Sequence, residues 1–455
     1  MISQTERNNP PFAASMGDFT FPKFSVHKLS GGTKVFLVRN NRQPLVSVRI
    51  MAECGPSISD IPGLAVFAMK MLTNGTKKMS AMKIAETAEY LGAKLHSTAK
   101  WDFSLISSSS LSNYLDECLD LMEDCLFNPK FSTTEIERQK RKTLANIQQN
   151  LADPSYLSKL AFNSLMHIDN LYGISITGTT ESISQIYQED LLKWHSGFLD
   201  STSFNIIVSG LFEKEEILQK LESRFGAIKS AKSQKPTDFT NGHKNGTKIV
   251  VFDKQGGSQV SLRFGRTTLS PRHPDYPAMQ TANVIFGGYF LSRINELLRE
   301  KLGYTYGISS TIDSRKNSSV FVTSSSLKKD SVKDSIEKLY EEMDRLSKDP
   351  VGEDELFRAS QYILGSFLRS VESPQQTASL ILGMINYSLP YDYYNYMYQR
   401  IKSLSSEELF EVQKEYFKPE GLVIAVAGDK KELVSSLSSI GSMYECDKDG
   451  KISII

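Results

Sequence analysis

Histidine and cysteine are the residue types that most often bind metals or carry redox chemistry, and their spacing here favours neither role. The six histidines show no short ligand spacing; they are His27, His96, His167, His195, His243 and His273. The four cysteines include no CxxC pair; they are Cys54, Cys118, Cys125 and Cys446. Cys118 and Cys125 lie about two turns apart on a predicted helix, which is too far for a disulfide along it. We therefore predict free, partly buried thiols in a reducing compartment and no metal site in this chain.

A glycine pair is the remaining local pattern that could suggest ligand chemistry. Gly287 and Gly288 could form a phosphate-binding loop, but neither G-x-x-x-x-G-K-[ST] nor G-x-G-x-x-G accompanies them. We interpret the pair as a bend that precedes a helix.

Composition excludes several classes of protein. The chain has 455 residues and a formal net charge of +1, which argues against the concentrated basic surface of a nucleic-acid-binding protein. No apolar run approaches the roughly 20 residues that span a bilayer, so no membrane span is predicted. The first residues, "MISQTERNNPPFAASMGDFTFP", lack the basic start and apolar centre of a secretory signal. The free thiols predicted above lead to the expectation of a cytoplasmic location.

The elements that would position any site come in two similar sets. "QPLVSVRIMAECGPSISDIPGLAVFAMKML" from Gln43 and "GSQVSLRFGRTTLSPRHPDYPAMQTANVIF" from Gly257 each predict a strand, a turn-rich stretch and a helix. Further on, each half has a serine-rich strand end, an amphipathic helix ended by Asn128-Pro129 or Asp349-Pro350, and a closing strand that ends in glycine. The repeat therefore predicts two homologous α+β domains.

The predicted domain boundaries follow from composition and the repeat. Residues 1–20 are expected to form a flexible lead-in, and residues 21–229 the first domain. A stretch rich in Lys, Gly, Ser, Thr and Asn, residues 230–248, is typical of an exposed linker. Residues 249–455 complete the second domain. Each domain is expected to contain an antiparallel-rich sheet with packed helices.

Five segments give the chain a specific resemblance. In order and spacing they resemble the pitrilysin/insulinase family of zinc metallopeptidases, over about Phe21 to Leu437. Within it, the chain is most similar to the branch that includes mitochondrial processing peptidases and bacterial paired-subunit peptidases. The segments are "GLAVFAMKMLTNGT", "EIERQKRKTLANIQQNLADPSYL", "LYGISITGT", "FGGYFLSRINELLREKLGYTYGISS" and "LPYDYYNYM". The resemblance implies that the whole chain is one half of a peptidase clamshell.

The zinc motif of that family is degenerate in this chain. In active members an inverted H-x-x-E-H lies on the first helix, and two histidines and a later glutamate bind zinc. Those positions fall on Val66, Met69 and Lys70, with the later glutamate on or beside Asn146. Valine has no lone pair, protonated lysine has none and repels the metal, and asparagine is a weak neutral donor. No zinc site is therefore expected in this chain.

The second half keeps residues where the family has an arginine–tyrosine pair. In "LLREKLGYTYG", these are Arg299, near the end of a helix that begins near Gly288, and Tyr306, at the start of the next strand. An arginine offers a planar fork of donors to a peptide carbonyl or carboxylate. A tyrosine hydroxyl can donate to the oxyanion that forms when water attacks a peptide bond. By residue type alone, a surface ion pair of Arg299 with Glu296 or Glu300 and a core position for Tyr306 are the simpler readings.

The resemblance leaves three functions open. The first is the zinc-free subunit of a two-subunit metallopeptidase, inactive alone, with Arg299 and Tyr306 serving a homologous, zinc-bearing H-x-x-E-H partner and peptide substrates. The second is a scaffold without catalysis, as in the core proteins of the respiratory cytochrome bc complex. The third is a homodimeric peptide-binding chamber. Retention of the pair favours the first, because a pure scaffold does not need it.

Overall fold

The computed structural model describes residues 16–56, 61–168, 170–231 and 246–455. We call the part up to residue 231 the first half and the part from residue 246 the second half. The first half contains a six-stranded sheet with the order β1-β2-β6-β3-β5-β4. Its strands are β1 Ser25–Lys28, β2 Lys34–Arg39, β3 Leu45–Ala52, β4 Lys94–Ala99, β5 Ser104–Leu111 and β6 Phe204–Gly210.

The second half contains a seven-stranded sheet with the order β13-β12-β7-β11-β8-β10-β9. Its strands are β7 Lys248–Asp253, β8 Gln259–Thr267, β9 Thr305–Arg315, β10 Ser318–Lys328, β11 Val423–Gly428, β12 Ser442–Cys446 and β13 Ile452–Ile454. In both halves a parallel pair, β2 with β6 and β7 with β11, is followed by three antiparallel pairs. The second sheet has a further parallel pair, β7 with β12. The predicted α+β architecture with two homologous sheets is therefore confirmed.

Helices cover these sheets. In the first half they are α1 Leu64–Leu72, α2 Ala81–Tyr90, α3 Leu115–Phe127, α4 Thr133–Ala152, α5 Pro154–Met166, α6 Thr180–Ser184, α7 Gln188–Ser201 and α8 Lys214–Phe225. In the second half they are α9 Tyr276–Asn283, α10 Arg293–Asn295, α11 Val332–Lys348, α12 Glu353–Arg369, α13 Pro374–Asn386, α14 Tyr393–Lys402, α15 Ser406–Tyr416 and α16 Lys430–Leu437. Within the described ranges, no helix is long and apolar enough to cross a membrane.

The two halves exchange helices. Helix α5 of the first half packs on the second sheet, where its Phe162 joins a buried cluster with Val250, Val322 and Ala425. Helix α13 of the second half packs on the first sheet, where Ile381 lies in a buried cluster with strand residues of the first half. Each sheet therefore buries one of its faces under a helix that the other half supplies.

The predicted domain boundaries of 21–229 and 249–455 stay a prediction, but two details at their ends differ. The flexible lead-in predicted for residues 1–20 does not extend through Phe19, whose ring packs 5.3 Å from that of Phe367 and 5.2 Å from that of Tyr398. The Tyr398 hydroxyl donates to the Gly17 carbonyl at 2.8 Å. Apolar burial of an aromatic ring thus attaches this segment to the second half. Most of the predicted linker, residues 232–245, lies outside the described residues, and its last residue, Lys248, begins β7.

Candidate functional site

Helix α1 is built as a buried packing element. Its residues are buried except Lys70, which is half-buried. Gly63 begins the helix with a φ of 88°, and a β-carbon there would lie 2.8 Å from the Thr177 carbonyl oxygen. Only glycine fits that conformation and that approach, so Gly63 fixes where α1 meets the segment before α6.

The structure brings three of the four degenerate zinc positions together. Val66 and Lys70 on α1 and Asn146 on α4 line one small pocket of about 110 Å³. The fourth position, Met69, does not line that pocket; it is fully buried, and its carbonyl accepts a hydrogen bond from the Ser97 hydroxyl at 2.6 Å. Asn146 therefore lies opposite α1, while its assignment as a former ligand position stays a prediction.

The side chains around this pocket do not fit zinc. Structural and catalytic zinc sites use imidazole, thiolate or carboxylate ligands. This pocket instead presents a methyl-bearing valine, an ammonium and neutral amides and hydroxyls. Among the described residues, no group of three or more His, Cys, Asp or Glu is arranged to hold a metal ion. The four cysteines are free and buried, and burial raises the pKa of Cys54 to about 11.

Lys70 makes the former metal position electropositive. Partial burial lowers the pKa of its ammonium, and the nearby charge of Lys142 lowers that pKa further. The structure shows no carboxylate paired with Lys70 in the part of the chain it describes. The chain therefore has a positive side chain of its own in this pocket.

Arg299 lies on an anchored helical segment rather than in the interior. The segment begins at Arg293, after Ser292 at the N-cap position, and continues with a π-helical stretch, Glu296–Lys301. The Arg293 guanidinium holds this segment against α12 through two 2.8 Å hydrogen bonds to the Glu355 carboxylate. Such bidentate pairs fix orientation as well as position.

The surroundings of Arg299 are aromatic and exposed. Its guanidinium carbon lies 4.2 Å from the centroid of the Phe290 ring, and its Nε lies 3.3 Å from the Glu300 carboxylate. The side chain of Arg299 is 31% exposed and Phe290 is 62% exposed. Stacking on the ring orients the guanidinium, because the cation is attracted to the ring face. The predicted helix start near Gly288 is wrong, because Val284–Gly288 instead closes the preceding helix as a π-helical turn.

Tyr306 points into solvent because β9 contains a bulge. Ile308 and Ser310 face the core, and a regular strand would place Tyr306 on that same side. The pairing with β10 shifts between Ser325 and Leu327, so that Tyr306 and Gly307 oppose a single partner residue. Bulges of this kind redirect a side chain. Tyr306 is accordingly 91% exposed, and the core position that its strand location suggests is wrong.

Asn295 connects the two segments that carry Arg299 and Tyr306. This buried amide donates from Nδ2 to the Phe290 carbonyl at 3.1 Å, and its Oδ1 accepts from the Ile308 backbone N–H at 3.4 Å. Gly303, with a φ of 63°, makes the turn between the helical segment and β9. The pair itself stays a prediction, and Phe290, Asn295 and the bulge were not predicted, because none of them has a signal in local periodicity.

Two family models match the chain. The model described as insulinase, peptidase family M16, matches residues 34–180, and that described as peptidase M16 inactive domain matches residues 161–362. The degenerate zinc positions fall in the first match and the arginine–tyrosine pair in the second.

Relatives and solved structures agree with these matches. A Helicobacter pylori protein named non-peptidase homolog YmxG is 22% identical over 412 residues, covering 88% of this chain and 92% of that protein. An uncharacterized zinc protease of Rickettsia felis is 23% identical over 359 residues, covering 77% of this chain and 84% of that protein.

The fold is shared with solved structures at low identity. A Pseudomonas fluorescens peptidase M16 inactive domain has a TM-score of 0.80 at 22% identity, over 90% of this chain and 98% of that one. A chain of complex III2 from Candida albicans has a TM-score of 0.72 at 16% identity, over 91% of this chain and 97% of that one. Because the two family models together match residues 34–362, the chain belongs to the M16 insulinase family.

Proposed function

We propose that this chain is the zinc-free subunit of a two-subunit metallopeptidase. Its partner would be a homologous chain with an intact H-x-x-E-H motif that supplies the zinc. Arg299 and Tyr306 would bind the peptide at the partner's site and stabilise the oxyanion formed there. The chain by itself would cleave nothing.

The exposure of Tyr306 is the observation that carries this proposal. A tyrosine hydroxyl normally finds a partner when the residue packs in a fold, but this side chain is directed outward by a bulge and is 91% exposed. No hydrogen bond to that hydroxyl comes from the described part of the chain. A bulge that turns an aromatic side chain away from its own core costs ladder hydrogen bonds, and such features concentrate near active sites.

Arg299 complements Tyr306 chemically. Its Nε faces Glu300, and stacking on Phe290 holds the plane of the guanidinium. The remaining donors of the fork suit a peptide carbonyl or carboxylate. A tyrosine hydroxyl directed at the developing oxyanion would stabilise the transition state more than the substrate. The two residues thus have separate roles, Arg299 in positioning the peptide and Tyr306 in stabilising charge.

The loss of the zinc ligands supports a divided site. Val66, Lys70 and Asn146 offer no imidazole or carboxylate ligand in their pocket, whereas Arg299 and Tyr306 are both present in the second half. The name non-peptidase homolog given to the Helicobacter pylori relative agrees with a chain that is inactive alone. The fold shared with a complex III2 chain supports the alternative, a scaffold that never cleaves peptides.

Reconstitution separates these functions. The chain is mixed with the homologous chain of the same organism that has an intact H-x-x-E-H, and cleavage of a quenched fluorescent peptide library is measured for each chain alone and for the mixture. We expect cleavage only in the mixture, together with a heterodimer in size-exclusion chromatography with light scattering. If the partner alone cleaves as fast as the mixture, the proposal is wrong. A stable homodimer that binds peptides without a partner would indicate the chamber instead.

A further inference from the structure

A second cavity lies between the two halves, beside the former metal position. We call it the interhalf cleft. It has a volume of about 390 Å³, and the residues that line it include Lys100, Trp101, Lys159, Asp313 and Arg315. Thr177 lines both this cleft and the pocket that contains Val66 and Lys70. The size is within the range of pockets that hold small ligands or peptide side chains.

Arg315 forms the floor of the cleft. It is 5% exposed, and its guanidinium carbon lies 5.1 Å from the Trp101 ring centroid and 4.9 Å from that of Tyr172. Its Nη1 donates to the Tyr172 carbonyl at 3.0 Å, and its Nη2 lies 3.3 Å from the Asp313 carboxylate. These contacts join the halves, so Arg315 has a structural role in addition to its charge.

Arg263 adds a second, incompletely paired guanidinium beneath α5. It lies on β8 between Ser261, whose hydroxyl is 2.8 Å from that of Ser158 on α5, and Gly265, which is close to Phe162. Its Nε is buried, and no described residue accepts a hydrogen bond from it. Burial lowers the pKa of Arg263, and Asp313 partly offsets that effect. Arg263 does not line the cleft, so it adds positive charge beneath α5 rather than a donor inside the cleft.

Lys159 extends the positive charge to the mouth of the cleft. It remains accessible to solvent on α5, but the protein around its ammonium lowers its pKa, and the charges of Arg263, Arg315 and Lys100 lower that pKa further. Asp313 acts in the opposite direction. Neither Lys159 nor Lys100 forms an ion pair with any carboxylate among the described residues.

Negative charge near the cleft is insufficient to balance these cations. Asp313 is the carboxylate that lines the cleft, and Arg315 is already beside it. Asp102 is nearby in sequence, but its oxygens accept from the Tyr172 hydroxyl at 2.5 Å and from the Lys316 backbone N–H at 2.8 Å. Three cationic side chains, Lys100, Lys159 and Arg315, therefore line the cleft with one carboxylate, in a chain whose overall net charge is only +1.

We propose that the interhalf cleft binds a carboxylate group of a peptide, with Lys159 and Lys100 as the principal donors. The aromatic ring of Trp101 and the apolar side chains of Leu160 and Ile176 would pack against the side chains of the peptide. Serine and threonine hydroxyls at Ser175 and Thr177 add neutral donors. This proposal deepens the proposed function by naming acidic peptides as the preferred class, and its test uses this chain alone.

Binding of a matched set of fluorescent peptides to the full chain tests the proposal. One peptide has two glutamates and a free C-terminus, one has the same glutamates and a C-terminal amide, and one has glutamines and an amide. We expect binding by fluorescence anisotropy to be about tenfold or more tighter for the best carboxylate peptide than for the glutamine amide, and to weaken as salt rises from about 10 to 150 mM. A loss of affinity on amidation would identify the C-terminal carboxylate as the bound group. A loss of affinity on Glu→Gln replacement would identify a glutamate side chain instead.

Substitutions of Lys159 test whether the carboxylate preference arises in the interhalf cleft. Lys159→Met should abolish most of the carboxylate preference, and Lys159→Arg should restore it. The matched control is Lys333→Met, which removes the same charge from α11 on the opposite face of the second sheet. Absence of peptide binding, equal binding of the three peptides, or equal losses in Lys159→Met and Lys333→Met would each overturn the proposal. Carboxylate binding without activity in the reconstituted pair would leave this inference standing and count against the proposed function.

Discussion

The guanidinium of Arg299 stacks on the ring of Phe290, with 4.2 Å between the guanidinium carbon and the ring centroid. Both residues are accessible to solvent, so the contact adds little to the core. Its physical consequence is orientation, because stacking selects one plane for an otherwise flexible side chain. A surface ion pair of Arg299 with Glu300 exists as well, at 3.3 Å, and does not restrict that plane as strongly.

Replacing Phe290 by alanine tests this orienting role. An exposed cation–π contact stabilises by about 0.5–1 kcal/mol, so Phe290→Ala should lower kcat/KM of the reconstituted pair by about threefold. Thermal unfolding should change little, because the ring is 62% exposed. The neighbouring Leu291→Ala, at a residue that is 66% exposed, is the control and should keep full activity. Equal activity of Phe290→Ala and the wild type would contradict the orienting role.

Tyr306→Phe isolates one hydroxyl group. If that hydroxyl donates to the oxyanion, its removal should lower kcat of the pair by about 100-fold, as removal of one oxyanion donor does elsewhere. KM and the melting temperature should stay nearly constant, because the side chain is 91% exposed and contacts no described partner through its hydroxyl. Tyr90→Phe, at a tyrosine that is 84% exposed on α2, provides the matched control. If this chain is only a scaffold, any cleavage by the pair should have the same kcat with Tyr306→Phe as with Tyr90→Phe.

The sequence predicted what depends on periodicity and order, and missed what depends on distant contacts. Alternating and helical patterns located the two sheets. Val66, Lys70 and Asn146, which the resemblance singles out, line one pocket in the structure, and their assignment as former ligand positions stays a prediction. The outward direction of Tyr306 depends on the pairing of β9 with β10, which no local pattern specifies. The exchange of α5 and α13 between the halves likewise depends on tertiary contacts, because the amphipathic pattern of a helix does not specify which sheet the helix covers.

Restoring zinc ligands tests the assignment of the degenerate positions. Val66→His, Lys70→His and Asn146→Glu together place two imidazoles and a carboxylate around the existing pocket. Three such ligands and a water complete a four-coordinate zinc site, so this variant should retain about one zinc ion per chain after dialysis, measured by inductively coupled plasma mass spectrometry. The wild type and the single variant Asn146→Glu should retain far less. Equal zinc content in the triple variant and the wild type would show that the three positions do not converge as the pocket indicates.

Lys70 gives a pH-dependent stability effect of known sign. Burial and Lys142 lower its folded-state pKa below the unfolded value, so the unfolded chain binds its proton more tightly. Its charge therefore destabilises the fold below the folded pKa, and the penalty disappears as pH rises through the folded pKa towards about 10.5. Lys70→Met should raise the free energy of unfolding at pH 7 by about 1 kcal/mol or less, which is seen as a higher melting temperature. The difference in stability between the variant and the wild type should shrink at pH 10. Lys333→Met should show no such pH-dependent gain.

The exchanged helices predict that neither half folds alone. A fragment ending at residue 231 would expose the face of α5 with Phe162, and its sheet would lack the cover of α13. The complementary fragment from residue 246 would have the converse defects. Because large exposed apolar faces cause aggregation, each fragment expressed alone should be insoluble or should bind a hydrophobic dye and lack a cooperative thermal transition. Co-expression of both fragments should restore a soluble complex, since the break falls outside the described elements. Cooperative unfolding of either isolated fragment would show instead that the predicted boundaries mark independent domains, with α5 and α13 docking only after each core has formed.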